Sequence, residues 1–153
     1  MTHRIHLRRE VAGGPSRQTL SEEAEAALRQ ARAASSELTV VLTDSRRIRR
    51  LNARFAGVDH VTDVLAFPAE EPRRSPSPRY LGDVVIALPR ARAQARRRGV
   101  PLPQEMSLLT VHGTLHLLGY DHARPAERRR MWALQAAALR RLGLDPQRLE
   151  GEA

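Results

Sequence analysis

The 153-residue chain contains no cysteine and no lysine, and only 3% of its residues are aromatic: one Trp, two Tyr and two Phe. Without cysteine, a disulfide framework and thiolate metal ligands are both excluded. No apolar run approaches the roughly 20 residues that a membrane-spanning helix needs. The start, MTHRIHLRRE, carries no apolar signal segment, so the expected location is the cytoplasm, away from any membrane. All 26 basic residues are arginine, set against 17 acidic ones, giving a net charge of +9. Such an excess favours polyanionic partners, RNA or DNA, because each neutralised phosphate releases condensed counterions. The arginines gather at 46, 47, 49 and 50, at 96–98 and at 128–130. Taken singly, each group reads as a solvated helix face.

The length suits one domain, residues 1–153, with a single substantial core. Residues 5–11, 38–42, 64–67 and 84–88 read as strands, with 38–42 central. Helices are expected over about 19–34, where Thr19 and Glu22 have capping-box spacing, and behind Asp44 and Ser45, where Ile48, Leu51 and Phe55 share a face. A third helix opens at Pro89 and closes at Gly99. A fourth covers 103–118, and a last one runs from about 125 to 142 with Gly143 as its stop. The segment PAEEPRRSPSPRY, residues 68–80, is too polar to pack and reads as a loop. Strands and helices are interspersed without a strict βαβ repeat. The fold class is therefore α+β, with helices packed on a small mixed four-stranded sheet. The helix over 103–118 is apolar nearly all round and should be the buried, central one.

That helix ends in HGTLHLLGYDH, residues 112–122, which sets three of the six histidines at the spacing H-x-x-x-H-x-x-G-x-x-H. His112 and His116, four residues apart, project from one helical face about 40 degrees apart, so two imidazoles can grip one ion. Gly119 suits a left-handed helix end, after which His122 can fold back as a third ligand and leave a fourth position open. Three protein ligands with an open position describe a catalytic zinc site, one ion per chain. Metzincin peptidases share the spacing but carry a glutamate beside the first histidine. Here that place is Gly113, which counts against amide hydrolysis of that type.

Assembled, these residues resemble the YbeY family of bacterial endoribonucleases over about residues 38–144. The marks are LTDSRRIRRLN from Leu42, TDVLAFP from Thr62, LGDVVIAL from Leu81, HGTLHLLGYDH from His112 and MWALQ from Met131. The resemblance implies an α+β fold, zinc held by His112, His116 and His122, and single-stranded RNA as substrate. It further implies ribosomal RNA precursors as targets, and the ribosome or its assembly proteins as partners in maturation and quality control. The chain departs from the family in FAGVDHVTDVLAFP, residues 55–68: Ala56 replaces an arginine linked to the family's active site, His60 a lysine and Val61 a proline. Arg54 and His60 are the nearby candidates for phosphate contact in its stead.

The expected chemistry is hydrolysis of an RNA phosphodiester by zinc-bound water, since zinc lowers the pKa of bound water from about 15.7 toward 7 without a carboxylate base. Asp121 is a candidate to orient a ligand imidazole or the water; satisfying local backbone N–H groups is its alternative role. Asp63 and Asp83 are candidates for the cleft or for turn caps. Two other readings stay open: a non-catalytic RNA- or ribosome-binding module braced by zinc, and a metallohydrolase acting on a different bond.

Overall fold

The β-branched runs assemble into one sheet in a computed structural model of the chain, which describes residues 2–56, 63–69, 78–121 and 123–150. Its strands are β1 (Arg4–Arg9), β2 (Ser36–Thr43), β3 (Val64–Pro68) and β4 (Arg79–Ala87), in the order β1-β2-β4-β3. The first three in that order run parallel, and β3 pairs antiparallel with β4 at the edge. The sheet is mixed, as expected, and β2 lies inside it.

β4 begins five residues earlier than its apolar run. Arg79 and Tyr80, expected in the polar loop, pair with Ser36 and Glu37. Tyr80 is drawn in by tertiary contacts: its hydroxyl lies 2.8 Å from Thr39 Oγ1 and donates to Asp83 Oδ1 at 2.5 Å. Pro68 also belongs to the sheet, ending the edge strand, where a missing N–H costs the ladder little. The middle of that segment, residues 70–77, lies outside the described residues.

Six helices are described: α1 (Arg17–Gln30), α2 (Ser45–Ala56), α3 (Leu88–Arg98), α4 (Leu102–Leu117), α5 (Pro125–Arg141) and α6 (Pro146–Glu150). The cap of α1 is Ser16 and not Thr19, for Ser16 Oγ accepts from the Thr19 backbone N–H at 3.2 Å. The helix therefore starts earlier than expected. It also stops earlier, because Arg32 takes a positive φ of 55° and the Ala33 N–H turns back to Leu28 O. Asp44 caps α2 as anticipated, its Oδ1 accepting from the Arg47 N–H at 2.7 Å. The short α6 was not expected, yet its Leu149 is fully buried.

Leu20, Leu28, Leu38, Val40, Val84 and Ile86 join Met106 and Leu109 of α4 in the main core, on one face of the sheet. α5 and α6 close the far side of α4 through Val111, Leu115, Met131, Leu139 and Leu149. On the other face of the sheet, Ile48 of α2 meets Val41, Val85 and Ala87. Sandwiched this way, α4 is buried from Glu105 through Leu117 at every position except His112 and His116. Two of its buried hydroxyls are satisfied within the helix: Thr110 and Thr114 donate to the carbonyls of Met106 and Thr110 at 2.8 and 2.7 Å. No helix among the described residues is long and apolar enough to cross a membrane.

Candidate active site

Gly113 explains how α4 lies so close to the sheet. A Cβ there would sit 2.5 Å from Val84 Cγ1 and 3.3 Å from Val64 Cγ2, so any larger residue would push the helix outward. The place of the peptidase glutamate is thus filled by the sheet itself, and a carboxylate has no room there. The next residues on the open side are the histidines.

His112 Nε2 and His116 Nε2 face each other at 3.1 Å, with ring planes 74° apart. Two nitrogen lone pairs aimed at one point repel unless a proton or a cation lies between them. The spacing fits a cation, since two imidazoles on a tetrahedral zinc at about 2.0–2.1 Å stand roughly 3.3 Å apart. Gln135 of α5 strengthens the fit. Its Oε1 accepts from His112 Nδ1–H at 2.8 Å, which puts the ring's lone pair on Nε2, the atom that faces His116. Gln135 is buried, so this tautomer is held away from competing water.

The third expected ligand, His122, and the expected RNA contact His60 lie outside the described residues. Among the described residues no three His, Asp or Glu side chains converge as a metal cage. α4 does end as the motif requires: Gly119 has φ 98°, and the Tyr120 N–H returns to Leu115 O at 3.2 Å. Asp121, just beyond, is exposed.

The pair opens into a cleft of about 580 Å³. One wall is the edge strand, through Val64, Leu65 and Ala66; others are Trp132 and Gln135 of α5 and Leu149 of α6. Arg98 of α3 contributes a positive charge to the lining. It is anchored by an ion pair from Nε to Glu105 Oε1 at 3.1 Å and by donation from Nη1 to the Leu149 carbonyl. Glu105 is wholly buried; burial pushes its carboxyl up to about 6, although the Arg98 guanidinium pulls the other way. Asp63 also lines the cleft, paired with Arg90 Nε at 3.2 Å, whereas Asp83 faces a different depression with Arg8, Arg47 and Phe55.

Arg54 is not brought to the histidines. It lies over the Phe55 ring at 5.3 Å and lines a surface depression with Arg46, Arg49, Arg50 and Ala53, on the helix that covers the opposite face of the sheet. Reading the sequence missed Arg98, Trp132 and Gln135. The last two sit in MWALQ, and their i, i+3 spacing within a helix was the available signal.

A mixed sheet backed by a buried helix whose two imidazoles converge on a cleft defines the class: an α+β protein with a helix-borne histidine pair. The family profile described as Endoribonuclease YbeY matches residues 9–143, and the chain belongs to that family. It is 43% identical over 97% of its length to Endoribonuclease YbeY of Myxococcus xanthus, covering 52% of that relative. A Rhodopseudomonas palustris (strain CGA009) relative of the same name is 47% identical over 72% of the chain, which covers 60% of it. The chain thus spans little more than half the length of these two. The Brevibacillus brevis relative, also named Endoribonuclease YbeY, is 41% identical, with 71% of this chain and 76% of the relative aligned. In fold, the chain is similar to the solution structure of TM1509 from Thermotoga maritima, with a TM-score of 0.58 and 23% identity over 93% of this chain and 92% of that one.

Proposed function

We propose that the chain is a zinc-dependent endoribonuclease that hydrolyses single-stranded RNA, acting in the cytoplasm on ribosomal RNA precursors during maturation and ribosome quality control. The observation that carries this reading is the facing pair His112 Nε2 and His116 Nε2, 3.1 Å apart at the floor of an open cleft. His112 and His116, with His122 as the third arm, would hold the ion. When bound, zinc supplies an acidified water and a Lewis acid for a phosphoryl oxygen.

The chain's own residues do the rest. Gln135 fixes the His112 tautomer, so the imidazole offers a lone pair at Nε2. α4, locked between sheet and α5, holds both rings in place. Arg98, held in place by Glu105 and the Leu149 carbonyl, lines the cleft with guanidinium N–H donors for a phosphate oxygen and needs little further ordering. The apolar wall of Val64, Leu65 and Ala66 limits the water around the reacting group. The missing peptidase glutamate agrees with a phosphodiester as substrate, because Gly113 leaves no space for that base.

The test incubates purified protein with defined single-stranded and duplex RNAs, with and without chelator, and then restores zinc. Cleavage of single strands that chelator abolishes and zinc restores is expected. RNA binding without turnover under every condition would refute the reading.

A further inference from the structure

Trp132 is the only tryptophan in an aromatic-poor chain, and it is only partly buried. Among the described residues it belongs to none of the three buried clusters. Among the described residues it is instead the one aromatic ring, apart from the imidazoles, in the lining of the histidine cleft. Three residues before Gln135 on α5, it shares a helical face with the side chain that holds His112. The Arg128 guanidinium, one turn earlier, lies 5.6 Å from the ring centroid, and Arg128, Arg129 and Arg130 are all exposed. The remaining described aromatics are engaged elsewhere: Phe55 and Phe67 meet edge to face, Tyr80 bonds to Thr39 and Asp83, and Tyr120 packs against the second core cluster.

A large, partly buried indole beside a reaction cleft, with a guanidinium against it, is the combination that holds an unpaired nucleobase: the ring stacks the base while the cation meets its phosphate. We propose that Trp132 is a positioning residue, the platform on which a base next to the scissile phosphate stacks, and that this stacking is the source of preference for single-stranded RNA. The inference rests on the endoribonuclease reading and adds the contact that selects the strand. In a duplex both faces of a base are already stacked, so the indole would gain nothing until the base is extruded.

The full-length protein, held in chelator to prevent turnover, is titrated with a single-stranded RNA octamer, a set of octamers each with one abasic position, and a duplex of the same sequence. Indole fluorescence of the wild type is read directly, and anisotropy of end-labelled octamers gives affinities for wild type, Trp132→Phe and Trp132→Ala. Binding should quench the indole. Trp132→Ala should bind the single strand about 5- to 150-fold more weakly, Trp132→Phe should recover much of the loss, and duplex affinity should barely change. One abasic position should weaken the wild type by a similar factor while leaving Trp132→Ala indifferent. Equal abasic penalties in both proteins at every position overturn the proposal, as does binding without quenching. Should Trp132→Ala fail to fold, wild-type quenching and its loss at one abasic position still decide the question. Binding and quenching without cleavage on zinc addition leave the platform standing and refute the nuclease reading; cleavage without quenching does the reverse. A wild type that binds no RNA overturns both.

Discussion

Gly113→Ala should destabilise the protein, although alanine is the better helix former. The added Cβ would stand 2.5 Å from Val84 Cγ1, well inside the roughly 3.5–4.0 Å at which carbon atoms attract. Val84 is fully buried and, as a β-branched residue, has one favoured rotamer in which to absorb the push, so the helix must lift from the sheet. Overpacking of this kind costs about 1–3 kcal/mol. Replacing a mid-helix glycine recovers up to about 1 kcal/mol. With contact this short the steric cost falls at the upper end, and a net loss of about 1–2 kcal/mol should lower Tm by roughly 2–8 °C in a chain of this size. Thermal unfolding measures it, and the sign is tested in a Val84→Ala background. There both Val84 methyl groups are gone, the helix propensity remains, and Gly113→Ala should stabilise. A Tm that stays or rises in the single variant, or effects that add within about 0.5 kcal/mol across the cycle, would refute the close-approach argument.

His112→Ala, His116→Ala and His122→Ala should each abolish stoichiometric zinc and the added thermal stability zinc gives; metal analysis retaining one ion in any two of them sinks the three-histidine assignment. Gln135→Leu should leave the fold intact but weaken zinc about 10- to 100-fold in a competition titration, since His112 loses the acceptor that fixes its tautomer. Burial pushes the Glu23 carboxyl from its ordinary 4.5 up to about 7, although the Ser107 hydroxyl donates to Glu23 Oε2. Between those pH values the unfolded chain gives up this proton and the folded one keeps it, so the stability present below about 4.5 is lost as pH rises toward 7, by on the order of 3 kcal/mol. Denaturant titrations at pH 4.5 and 7.5 should show a smaller drop in Glu23→Gln than in wild type. RNA affinity should fall steeply with salt, each phosphate contact adding about 0.7 to the log-log slope; a flat titration over four salt concentrations would mean the +9 charge is idle.

The central helix and its histidine pair were legible because both follow from helical geometry. An apolar surface all round marks burial, and a four-residue spacing brings two rings together wherever the helix lies. Gln135 obeys no such local rule: it meets His112 across 23 residues of sequence, through the packing of α5 on α4. Arg98 is the same case, one arginine in a run of three, distinguished from Arg96 and Arg97 by the buried Glu105 and the Leu149 carbonyl that hold it. The start of β4 was hidden because Tyr80 gains its partners from Thr39 on a neighbouring strand. At α1, Ser16 and Thr19 are both good caps, and the sequence does not rank them. Arg54 looked close to the site by sequence position, but β3 intervenes and α2 rests on the sheet's other face.

In α4 the architectural and the chemical roles are carried by one segment. Leu115 and Val111 pack the second core cluster while their neighbours His116 and His112 face the cleft, and Gly113 touches the sheet between them. Any change that lets this helix rotate or slide also changes the angle at which the two imidazoles meet. Evolution therefore has little freedom here to trade stability against chemistry: a repacking that is neutral for the fold is not neutral for the site. An engineer seeking a hardier variant would do better to work on α2, which packs against the other face of the sheet, where Ile48 meets Val41, Val85 and Ala87.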